Sequence, residues 1–98
     1  MTYRFSSKAK FDINSIWIYT YENWSHEQAD LYYDLLIAEI EYVSQHPETG
    51  RNFIRHEMTY KFTAVKSHLI FYREVSTAEI EIVRILHKRM DIEHRLRD

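Results

Sequence analysis

The chain has 98 residues, 45% of them hydrophobic, with 15 aromatic side chains in Phe, Tyr and Trp but one Gly, one Pro and no Cys. This makes a single domain, residues 1–98, that can bury about two-thirds of its unfolded surface; no disulfide or thiolate chemistry is open to it, and a lone Gly cannot build a phosphate-cradling loop. The net charge of −2 is unevenly spread: residues 1–50 carry three Lys/Arg against eight Asp/Glu, and residues 51–98 carry ten against seven, an acidic front and a basic back.

Residues 2–6 alternate and hold β-favouring aromatics, which predicts a short strand. Ser6 or Ser7 then caps a helix over about residues 8–22, where Ala9, Ile13, Ile16, Trp17 and Thr20 fall on one face of a 3.6-residue period. Ser25-His-Glu-Gln28 is a capping box that opens a second helix. Ala29, Tyr32, Tyr33, Leu36, Ile40 and Val43 repeat its apolar face as far as Gln45. Only Asn23 and Trp24 separate the two helices, so they form an αα-hairpin. Pro47 stops the second helix, because proline disfavours the α region in the residue before it.

Residues 51–58 read as either a loop or an edge strand. Tyr60–Lys66, His68–Val75 and Glu79–His87 read as three strands joined by short turns, hence consecutive antiparallel pairs. The last strand is apolar on both faces at Ile80, Ile82, Val83, Ile85 and Leu86, which suits an interior position in the sheet. Residues 91–98 form a last helical turn or fray. The expected fold class is α+β, a βααβββ order with an antiparallel sheet carrying the helical hairpin on one face and leaving the other partly open.

The residues offer little conventional chemistry. Six His invite a metal reading, and His68 can face His87 across adjacent strands, but no ligand spacing accompanies them, so no metal and no cofactor is expected. Ser67 and His68 are neighbours at a turn, which aims their side chains apart and rules out a nucleophile–base pair. Metal-free RNA cleavage needs a base, an acid and a cation for the phosphorane-like charge, and Lys61, Arg73, Arg84, His87, Lys88, Arg89, His94 and Arg95 are the candidates. Each has a plainer reading: Arg84, inside an apolar strand, pairs with an Asp or Glu, and Arg89, Arg95 and Arg97 interleave with Asp91, Glu93 and Asp98 as a solvated tail. Trp17 belongs to the core stripe, whereas Tyr21 and Trp24 either anchor a partner or close the hairpin. No apolar run approaches the roughly 18 residues of a membrane span and no signal-peptide core opens the chain, so a cytoplasmic protein is expected.

Taken in order, Tyr3, Ser6, Ala9, Asp12, Ile13, Ile16 and Tyr19; Trp24 with Gln28-Ala29 and Tyr32; Pro47 to Gly50-Arg51; and His68-Leu-Ile-Phe-Tyr-Arg73 through Asp91 resemble the ParE toxins of the RelE/ParE superfamily over nearly the whole chain. The resemblance implies a small sheet under an αα-hairpin, and a toxin of a type II toxin–antitoxin system that traps DNA gyrase without being an enzyme. It also implies a ParD-like antitoxin that wraps the toxin with its C-terminal segment. The alternative is an mRNA interferase similar to RelE. Against that branch's basic set, Lys61 and Arg89 keep positive charge, but Thr63 and Leu69 replace a lysine and an arginine, and Arg95 falls near the tyrosine position. The charge collects after His87 instead. The tail, with Lys88, Arg89, Met90, Asp91, His94, Arg95 and Arg97, is therefore the expected gyrase contact, and Tyr21, Trp24, Lys61 and Arg73 the expected antitoxin contact.

Overall fold

Ser6 joins the first strand to the first helix and also ties both to the far end of the chain. Its hydroxyl accepts from Ala9 N at 3.0 Å, capping the helix, and donates to Val83 O at 2.7 Å. A computed structural model describes residues 2–97. The elements are β1 (Thr2–Phe5), α1 (Ser7–Asn23), α2 (His26–Gln45), a 3₁₀ turn (Pro47–Thr49), β2 (Arg51–Arg55), β3 (Met58–Val65), β4 (His68–Ser76), β5 (Glu79–His87) and α3 (Ile92–Arg97). Ser25 caps α2 by accepting from Gln28 N at 3.0 Å.

The strands form one sheet in the order β1-β5-β4-β3-β2. Three of its four pairings are antiparallel, but β1 runs parallel to β5, so the sheet is mixed and not antiparallel throughout. The helical hairpin intervenes between β1 and the meander, the long connection that a parallel pair requires. The observed order is βααββββα. Residues 51–55 take the edge-strand alternative, with Phe53 in register with Tyr60. β5 lies between β1 and β4, as its two apolar faces predict. A bulge lets β4 pair Phe71 with Arg84 and Tyr72 with Ile82, skipping Val83 and re-aiming the residues on either side.

Two cores result. The larger lies between hairpin and sheet and holds Ala9, Ile13, Leu36, Ile40, Val43, Ile70, Tyr72, Ile80, Ile82 and Ile85. The smaller, on the opposite face, packs Phe71, Leu86 and Leu96 with Phe53, Phe62 and Ile92 at its margin. The final helical turn is thus the lid of a second core, over the face expected to be partly open. Trp17 stays outside the larger cluster: it stacks on Tyr21 at 5.4 Å and its indole donates to Asp30 at 3.0 Å. Gly50 has no room for a side chain, since a Cβ there would collide with the Tyr72 phenol, whose hydroxyl donates to Pro47 O at 2.7 Å.

Candidate functional site

Each helix of the hairpin carries a second, largely apolar stripe with one polar member beside the one it buries. On α1 this is Phe11, Ser15 and Tyr19, four residues apart; on α2 it is Gln28, Leu31, Leu35 and Ala38. Phe11, Tyr19, Trp24, Leu31 and Leu35 remain 45–75% exposed. They line a groove of about 1380 Å³, closed on its other side by the β3–β4 turn, the end of β5 and the tail. Most of its lining is apolar, and the far wall is cationic, with Lys66, Arg89 and Arg95.

Charge on that wall is not all equivalent. Arg84, 8% exposed, donates from Nε to Asp12 Oδ2 at 2.8 Å and from Nη2 to Asp12 Oδ1 at 3.0 Å, a bidentate pair. Its Nη1 donates to Arg95 O at 2.9 Å, and Asp12 Oδ2 also accepts from Ile85 N at 2.9 Å. The expected pairing of Arg84 with an acid is therefore present, and its charge is spent inside the fold. Among the described residues, Lys66, Arg89 and the Arg95 side chain make no ion pair.

The groove floor holds Tyr32, His68 and His87. His68 and His87 are directly opposed in the β4–β5 register, with ring centroids 5.3 Å apart. Tyr32 Oη donates to Val65 O at 3.1 Å and lies 2.6 Å from His68 Nδ1. Burial, and secondarily the neighbouring His87, lower the His68 pKa to about 4, against an opposing pull from Asp12, so the ring is neutral at pH 7.

The predicted tail residues divide between groove and scaffold. Arg89, Met90 and Arg95 line the groove. Asp91 caps α3 by accepting from His94 N at 3.2 Å, Arg97 pairs with Glu93 at 3.2 Å, and Lys88 N donates to Ser67 O at 2.9 Å. Of the residues assigned to the antitoxin, Trp24 lines the groove; Tyr21 lies on the hairpin's other flank, stacked on Trp17. Lys61 bonds Asn52 at 3.1 Å towards the β2 edge, and Arg73 pairs with Glu81 at 2.9 Å. The structure therefore brings Trp24, Arg89, Met90 and Arg95 to one surface and leaves Tyr21, Lys61 and Arg73 elsewhere. Phe11, Leu31 and Leu35 were not singled out from the sequence, and Tyr19 entered only through the family resemblance, although their spacing outside the core stripe was the available signal. Among the described residues there is no group of three or more side chains that could hold a metal ion.

Residues 3–92 match the family model described as the ParE toxin of the type II toxin–antitoxin system parDE. The chain belongs to the ParE toxin family. Toxin ParE1 of Caulobacter vibrioides is 38% identical over 89 residues, covering 91% of each chain. Toxin ParE1 of Mycobacterium tuberculosis is 33% identical over 94 residues, covering 96% of each. A solved structure described as the chromosomal ParDE TA system from P. aeruginosa superposes with a TM-score of 0.74 at 18% identity, over 89% of this chain and 95% of that one, which establishes the ParE-like fold.

Proposed function

We propose that this ParE-family toxin stops growth by binding DNA gyrase through its tail, acts without catalysis in the cytoplasm, and is neutralised by a ParD-like antitoxin segment seated in the groove. The observation that carries the antitoxin half is the groove itself: two outward apolar stripes beside a wall of uncommitted cations. A contiguous exposed apolar surface rimmed by charge marks a partner site more often than scattered apolar side chains do. The matching occupant is a segment with apolar anchors and acidic residues, laid along the helices as in helix-in-groove recognition.

The tail reading is supported by exposure and charge. Lys88, Arg89 and Met90 are exposed, and cationic side chains cluster after His87. Against an RNA-cleaving reading stands the separation of the basic positions. Lys61 is in register with Tyr72 and through it with Ile82, whereas Arg89 lies past the His68–His87 pair at the other end of the strands. Thr63 is held by Glu39, and Leu69 packs against the second core.

Deleting everything after His87 would unroof that core by removing Ile92 and Leu96, so charge swaps are the cleaner test. Lys88→Glu/Arg89→Glu, both exposed, should relieve growth arrest on induced expression while leaving the melting temperature unchanged. Undiminished arrest by this folded variant would refute the tail as the target contact.

A further inference from the structure

The tail has few anchors of its own. α3 is six residues long, too short to persist unaided, and one of its side chains, Leu96, is buried. Between β5 and α3 the chain is held by Met90 N donating to His87 O at 3.0 Å and Arg89 N donating to His87 Nδ1 at 3.0 Å. Contacts to the rest of the fold include Lys88 N donating to Ser67 O at 2.9 Å, an exposed pair of His56 Nε2 with Glu93 at 3.0 Å, and the part-buried bond from Arg84 Nη1 to Arg95 O. That last bond takes up one of the carbonyls that the final helical turn leaves without an intrahelical partner, and it places a cation where the helix dipole favours one.

We propose that Arg84 is a positioning residue for the tail: its guanidinium clamps α1, β5 and α3 together and so sets where Arg89, Met90 and Arg95 stand on the groove wall. The clamp depends on the planar fork. Nε and Nη2 face the two oxygens of Asp12, and Nη1 is left pointing at Arg95 O. A lysine ammonium matches the charge but cannot meet both carboxylate oxygens and the carbonyl from one point. Asp12 is in turn fixed by Ile85 N, so the clamp is referred to the sheet interior and not to another mobile side chain. Although Arg84 borders the groove, its Nε, Nη1 and Nη2 are each engaged inside the fold; it acts on the binding surface through the tail.

The functional consequence rests on the reading of the tail as the target contact, and the test separates the two. Amide hydrogen exchange of residues 92–97 would be compared with that of β4 and β5 in the wild type and Arg84→Lys, alongside growth arrest on induction. The clamp predicts tail exchange at least tenfold faster, unchanged protection of β4 and β5, and weaker arrest. Tail exchange equal to wild type, or a loss of protection shared evenly by tail and sheet, would overturn it by reducing Arg84 to an ion pair of the fold. A loosened tail with full arrest would support the clamp and overturn the target reading. If Arg84→Lys does not fold, Asp12→Asn/Arg84→Met removes the buried charges together, keeps an acceptor for Ile85 N, and must show the same selective loosening of the tail.

Discussion

Phe11 offers the sharpest test of the groove, because it does little for the fold and much for a partner. It is 70% exposed, so truncation should change folding stability by no more than about 0.5 kcal/mol. An aromatic side chain buries roughly 200 Å² when fully covered. A partner lying in the groove would take up about 0.7 of that, roughly 140 Å², which at about 25 cal/mol per Å² is on the order of 3 kcal/mol. Alanine retains a fraction of the contact, so Phe11→Ala should weaken antitoxin binding by about 2–3 kcal/mol, a 30- to 150-fold rise in Kd. Ile54 is the control: 58% exposed, equally apolar, and on β2 away from the groove. Calorimetric titration of the purified toxin variants with the cognate antitoxin, with urea unfolding in parallel, reads both quantities. If Phe11→Ala and Ile54→Ala bind alike, the partner does not sit in this groove.

Other consequences follow from the interior. Asp12→Ala leaves the Arg84 guanidinium buried without its carboxylate and orphans Ile85 N, so unfolding should become easier by about 3–5 kcal/mol, read as a fall in the urea midpoint. His68 has a folded-state pKa near 4, below the unfolded value of 6.5. Unfolding therefore takes up a proton between those values, and stability should be flat above pH 6.5 and decline as pH falls towards 4. The ring is only partly buried, so solvent screening holds the loss to about 1 kcal/mol, and His68→Gln should flatten the Tm profile over that window. Gly50→Ala should lower Tm by forcing the Tyr72 phenol off Pro47 O, whereas Tyr72→Phe with Gly50 intact should cost about 1–2 kcal/mol for the orphaned carbonyl.

The hairpin, its caps at Ser6 and Ser25, and the three closing strands were legible because each is written in local periodicity or turn chemistry. The parallel placement of β1 was not: nothing in residues 2–5 specifies whether they pair with β5 or with another strand, since that choice is made by the crossover of the hairpin. β2 was ambiguous for a physical reason, as Phe53 alone points inward along it and an edge strand needs no alternation. The pairing of Arg84 with an acid was expected from a charge inside an apolar strand, but its partner Asp12 is 72 residues away and invisible to local reading. Trp17 was misplaced because a helix with apolar residues over a wide arc does not say which edge of the arc meets the sheet. The same breadth concealed the groove, whose Phe11, Tyr19, Leu31 and Leu35 look like core residues until the sheet is seen to cover the other side.

The proposed action on a protein target is tested most directly with gyrase itself. Purified toxin incubated with DNA gyrase, ATP and supercoiled plasmid should cause cleaved plasmid to accumulate, and prior addition of the cognate antitoxin should abolish that accumulation. Intact plasmid in that reaction, together with cut mRNA in a translating extract, would contradict the account.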